Sequence, residues 1–181
     1  MSLPRHELAT LRMSAPQQPD RALLQRWLEE ARVDYYLCNQ CEGLHLKALQ
    51  ELEGVVDSRL FLESYGLLLT TELELRPMAL LPMAADLGRL NMDYPVLKVF
   101  TDVVDDATPQ LVVAAHLPTS AGLTLKQFAH FVATIIASTR QLANECLQLD
   151  YLFAAAETGG SSPSNALHLS LIHISEPTRL R

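Results

Sequence analysis

The residues with the clearest chemical potential are Cys38-Asn39-Gln40-Cys41, followed four positions later by His45. Two cysteines at this spacing on a tight turn bring their sulfurs together, so they can grip one metal ion or close a small disulfide. His45 offers a third ligand, which makes Cys38, Cys41 and His45 the candidate metal set. A closed structural zinc site needs a fourth ligand, and no second C-x-x-C or H-x-x-x-H is present to supply it; a second copy of the chain would have to do so. Thioredoxin-like chemistry expects the pair at a helix N-terminus within a βαβ unit. Here the flanking VDYYLC and LHL predict a hairpin. Two structural cysteines on a turn are therefore the favoured reading, with metal binding and redox work behind it.

The other chemistry-bearing residues have plainer readings. Cys146 falls on the apolar seam of a long helix, where a free cysteine acts as a small hydrophobe. His116 lies in an apolar strand as a satisfied core or edge histidine, and His130 faces outward. Asp102, Asp105 and Asp106 surround a hairpin turn without the D-x-[DN]-x-[DN]-G spacing of a calcium loop. Glu72 and Glu74 share a polar strand face and are expected to repel one another. No nucleophile elbow and no glycine-rich phosphate loop occurs, so no catalytic residue and no cofactor is assigned.

These residues must be positioned by the elements around them. Asp20 is a candidate N-cap for a helix carrying Leu23, Leu24, Trp27, Leu28 and Ala31. From Gly54 the period becomes two. Val56, Ser58, Leu60 and Leu62 share one face and Asp57, Arg59 and Glu63 the other. After a turn at Ser64-Tyr65-Gly66, Leu67, Leu69, Thr71, Leu73 and Leu75 continue the pattern in a strand that must pair antiparallel.

PMALLPMAADLGRLN reads as a helix, with Pro82 either kinking or starting it and Gly88 stopping it. A second hairpin, VLKVFTDVV–DDATP–QLVVAAHLP, precedes the last helix. That helix opens on a Thr124/Gln127 capping box and carries the seam Leu125, Phe128, Val132, Ile135, Thr139, Leu142, Cys146 and Leu149. The fold class is α+β, an antiparallel sheet flanked by helices.

Composition narrows the function. The chain has 181 residues, 49% hydrophobic, with a net charge of −7. Residues 20–153 carry 10 basic against 18 acidic side chains, which argues against nucleic-acid binding. No apolar run is long enough to span a membrane. Three cysteines, an odd number, disfavour a disulfide framework, and with no apolar leader the expected location is the cytoplasm.

The organisation expected is a flexible leader over 1–19, with Met13 as an alternative start, a domain over 20–153 and a disordered tail over 154–168. Residues 169–181 are set aside: LSLIHISEPTR resembles the conceptual translation of a sequencing-library adaptor across eleven consecutive residues.

WLEEARVDYYLCNQCEGLHL, ELRPMALLPMAADL and the block from Val96 through LKQFAHFV resemble the YbjN family, also named bacterial sensory transduction regulators. The resemblance spans roughly residues 20–150. It implies a type III secretion chaperone-like fold, a twisted antiparallel sheet covered by helices. It also implies a cytoplasmic, non-enzymatic regulator of stress, motility or surface polysaccharide. Members of that family can carry two cysteines at the Cys38–Cys41 spacing, but no catalytic residues transfer from it.

The expected mode of action is protein–protein binding to a partner of unknown identity, with a homodimer suggested by fold analogy. A thiol- or metal-responsive sensor built on Cys38 and Cys41 is the alternative.

Overall fold

Asp20 starts the first helix: its extended backbone lets the carboxylate accept the Leu23 N–H at 2.7 Å, satisfying a donor the helix leaves free. The structure, a computed structural model, describes residues 15–104 and 107–153. The leader up to residue 14, the tail over 154–168, the segment 169–181, and Asp105 and Asp106 lie outside the described residues.

Helix α1 (Arg21–Glu30) leads into strands β1 (Tyr35–Leu37) and β2 (Leu44–Leu46) and a one-turn helix α2 (Lys47–Gln50). Strands β3 (Val55–Glu63) and β4 (Gly66–Glu74) form a long hairpin. A 3-10 turn (Pro77–Ala79) runs into α3 (Leu80–Asp93). Strands β5 (Lys98–Asp102) and β6 (Gln110–Leu117) then precede α4 (Leu125–Gln148), which opens on the expected capping box. The six strands form one antiparallel sheet in the order β1-β2-β3-β4-β6-β5. The fold class is α+β, as the sequence predicts.

One face of the sheet carries the core. Leu44, Leu60, Leu69 and Ala115 occupy matched positions across β2, β3, β4 and β6. All four are buried, in one cluster with Trp27 of α1 and Phe128 of α4, whose rings lie 5.4 Å apart. Each fully buried Leu or Phe contributes about 1.5–3 kcal/mol of transfer free energy, so this cluster is the main source of stability. Ser58 and Thr71 are buried here without penalty because their hydroxyls pair at 3.0 Å. Side chains alternate along each strand, so Tyr36, His45, Asp57 and Arg59 lie on the opposite face.

Several expectations are corrected. Gly88 does not stop α3, which runs five residues further to Asp93. A glycine stop needs a left-handed backbone, and Gly88 is not among the residues with positive φ. Arg89 bridges Asp86 and Asp93 across that point while Leu90 is fully buried, so the helix continues despite the glycine.

The helix starts two residues before Pro82, which sits in its first turn, where its missing N–H is not needed. The inner face of β3 holds only at its centre. A register shift between Val55 and Asp57 turns Val56 outward to 51% exposure, and Leu62 at the other end is half-exposed. Leu149 lies beyond the buried seam of α4 and is exposed. Glu72 meets an opposite charge across the hairpin, Arg59, rather than simply repelling Glu74.

Candidate metal centre

The β1–β2 hairpin brings the three candidate ligands together. Tyr36 and His45 are register partners, and the six-residue connection from Cys38 to Gly43 folds both sulfurs onto the His45 ring. The Cys38 and Cys41 Sγ atoms are 3.0 Å apart, and His45 Nε2 is 3.2 Å from each. All three donor atoms fall within 4.8 Å of one another.

With Zn–S near 2.3 Å and Zn–N near 2.0 Å, a tetrahedral ion needs ligand–ligand edges of about 3.5–3.8 Å. The triangle therefore opens by roughly half an ångström to take such an ion. Two thiolates and one imidazole suit a soft or borderline metal and leave a fourth position free.

A second layer of residues fixes the imidazole. His45 Nδ1 is 2.8 Å from Asp57 Oδ1, which directs the Nε2 lone pair toward the sulfurs when Nδ1 carries the proton. Asp57 is held in turn: its Oδ1 accepts from Gln50 Nε2 at 2.6 Å and from the Ser58 N–H at 2.8 Å. Its Oδ2 lies 3.2 Å from Arg59 Nε in an ion pair, and Arg59 also contacts Glu72. The Tyr36 ring stacks on His45 at 4.6 Å and 12°, and His45 is only 5% exposed. A carboxylate–imidazole pair, shielded on one ring face and open at Nε2, is the arrangement that orients a metal-binding histidine.

The loop needs Gly43. A Cβ there would lie 3.1 Å from both Arg59 Cβ and Phe61 Cε1, so a larger residue would lift the cysteine turn off β3. Electrostatics divides the two thiols. Hydrogen bonding from Cys41 and the Gln40 N–H, joined by His45 when its Nε2 carries a proton, brings Cys38 down to about 6. The Cys41 thiol is pushed up because it serves as the donor to Cys38 and is partly desolvated. At Asp57 partial burial works to raise the pKa, but hydrogen bonds from His45 and Gln50 outweigh it and hold the carboxyl below its usual value.

Cys146, His116, His130 and Asp102 stay apart from this cluster. Cys146 is fully buried on α4, and desolvation pushes its thiol up to about 12. His116 is exposed on β6, with Nε2 3.2 Å from the Tyr65 carbonyl, and His130 is exposed on α4. Asp102 ends β5 at the sheet edge. Asp57, Gln50 and Tyr36 were not recognised from the sequence as part of a site. The signal lay in the register: His45 pairs with Arg59, placing Asp57 two residues away on the same face.

An α+β protein with a six-stranded antiparallel sheet and a thiol–imidazole–carboxylate cluster on its edge hairpin is thus defined by fold and site. A family model described as "Putative bacterial sensory transduction regulator", YbjN, matches residues 20–148, and the chain belongs to that family. It is 38% identical over 114 residues to the YbjN proteins of Escherichia coli K12 and of Shigella flexneri, covering 63% of this chain and 72% of each relative. It also resembles the crystal structure of YbjN, a putative transcription regulator from E. coli. The TM-score is 0.74 and the identity 32%, over 77% of this chain and 99% of that one. Among the described residues, no helix is long and apolar enough to cross a membrane.

Proposed function

We propose that this chain is a non-enzymatic, cytoplasmic regulator whose input is a thiophilic divalent metal of the zinc type, bound by Cys38, Cys41 and His45. The observation that carries this reading is the placement of His45: Nε2 stands 3.2 Å from both sulfurs while Nδ1 is engaged by Asp57. A histidine serving only to fill a turn has no need of a hydrogen-bonded carboxylate that is itself held by Gln50 and Ser58. The open fourth position suits a site that loads and unloads better than one that is permanently closed.

The output is protein–protein binding, in the stress, motility or surface-polysaccharide setting that the family resemblance suggests. Support comes from an apolar stripe on the 3-10 turn and α3. Met78, Leu81 and Met92 are 91%, 81% and 78% exposed, with Ala85 and Gly88 between them at alternating three- and four-residue spacing. Direct DNA binding has little electrostatic support in a domain with 10 basic and 18 acidic side chains.

Cobalt titration of the reduced, metal-stripped full chain tests the metal reading. One equivalent of Co2+ should produce a sulfur-to-cobalt charge-transfer band and intense tetrahedral visible bands, both erased by added zinc. Cys41→Ser and His45→Ala should each weaken them. A spectrum of octahedral aqueous cobalt, or one unchanged by both substitutions, would rule the reading out.

A further inference from the structure

We propose that Cys38 and Cys41 are oxidised by hydroperoxides to an intramolecular disulfide, and that this bond and a bound metal ion exclude one another. The exclusion rests on the metal reading above, whereas the disulfide itself does not. The geometry lies between the two states. The sulfurs are 3.0 Å apart. A disulfide requires about 2.0 Å and two ligands of one tetrahedral zinc about 3.8 Å, so displacements of roughly 1 Å reach either. The movement falls on a turn that is neither helix nor strand, while β1 and β2 on either side keep their pairing. Both cysteines are partly exposed, which gives a small oxidant access to them.

The reaction balances with hydrogen peroxide as the oxidant class. One thiolate sulfur attacks the peroxide; an S–O bond forms, the O–O bond breaks, and hydroxide leaves to take a proton from solvent. The second thiol then attacks the sulfenic sulfur; the S–S bond forms, the S–O bond breaks, and water departs with the thiol proton. Two thiols together lose two electrons and two protons, and the peroxide becomes two waters.

Metal and disulfide compete because coordination uses the sulfurs as anionic donors, whereas in the disulfide each is neutral and bonded to the other. Cys146 provides an internal reference: it is fully buried on α4 and has no sulfur partner among the described residues.

The test compares the reduced full-length protein, metal-stripped and zinc-loaded, during treatment with hydrogen peroxide. In the stripped sample, titratable thiols should fall from three to one, with the chain still monomeric on a non-reducing gel. Peptide mapping should join Cys38 to Cys41. In the loaded sample, a chromogenic chelator should report one zinc released per disulfide, at a rate about tenfold or more below that of the stripped protein because coordinated thiolates are masked.

Retention of all three thiols, or oxidation that stops at sulfinic acid, would overturn the disulfide. Zinc that remains bound while the disulfide forms would overturn the exclusion. Failure of the metal reading appears separately, as no zinc retained before peroxide is added. That result removes the exclusion and leaves the thiol count to decide the disulfide.

Discussion

His45 Nδ1 lies 2.8 Å from Asp57 Oδ1 across the β2–β3 pair, and this contact sets which imidazole nitrogen faces the cysteines. On the metal proposal, Asp57 is therefore a positioning residue rather than a ligand. Asp57→Asn keeps the size of the side chain but loses the charge that supports the imidazole. Zinc affinity should fall by about 10–100-fold, the usual effect of removing such a partner, as read by competition with a chromogenic chelator. An unchanged affinity would show that the contact serves the fold alone.

The depressed Cys38 thiol gives a pH signature. With its folded value about 6, against an ordinary thiol near 9, Cys38 is largely a thiolate at neutral pH. Iodoacetamide alkylation of the metal-free reduced protein should rise with a midpoint near pH 6. Because the hydrogen bond from Cys41 is the largest cause of the depression, Cys41→Ala, which removes the donor, should move that midpoint upward. The linkage has a definite sign. A depressed acid adds stability that is complete above its unfolded pKa and is lost as pH falls through the folded one, so this contribution fades from pH 9 to 6.

Gly43→Ala tests the contact between the cysteine turn and β3. The added methyl meets Arg59 and Phe61 at 3.1 Å, tighter than ordinary van der Waals contact. A loss of about 1–2 kcal/mol in urea unfolding is expected, together with weaker metal binding as the turn is displaced. Wild-type stability and affinity would mean that the turn has room to spare.

Phe128→Ala probes the other face of the sheet. Phe128 is fully buried against Trp27, so its truncation should cost about 3–5 kcal/mol by denaturant unfolding. Measured well below the unfolding transition, the variant should still show the cobalt bands proposed for the wild type, because Cys38, Cys41 and His45 are not part of this core cluster. Loss of the bands in folded protein would reveal a coupling between the faces.

Much of this architecture was legible in the chain because binary patterning reports which side of an element is buried. Leu67 through Leu75 alternate without interruption and all the alternate positions are buried; Asp20 and Thr124 cap the helices that their types and spacing predict. The pattern failed where local geometry departs from the ideal repeat. A shift at Val55/Asp57 turns Val56 outward, and Gly88 is carried through α3 by the buried Leu90 and the ion pairs of Arg89.

At the site, Cys38, Cys41 and His45 could be named from spacing, but their supports could not. Asp57 and Gln50 come from separate elements and meet His45 only through strand register and the one-turn helix α2, which the sequence did not signal. A lone C-x-x-C therefore reads as an ordinary turn, and the carboxylate behind the imidazole is the feature that supports the metal proposal.

The sheet divides the molecule into two ledgers that share the same backbone. Leu44 and Leu46 face the leucine-rich interior, while His45 between them faces the cysteines. A homologue could replace Cys38, Cys41 or His45 with residues that fit the turn and lose little of the interior that holds the domain together. On the metal proposal, ancestry and chemical competence are separable traits in this architecture, because the residues that build the strands are not those that would hold the ion.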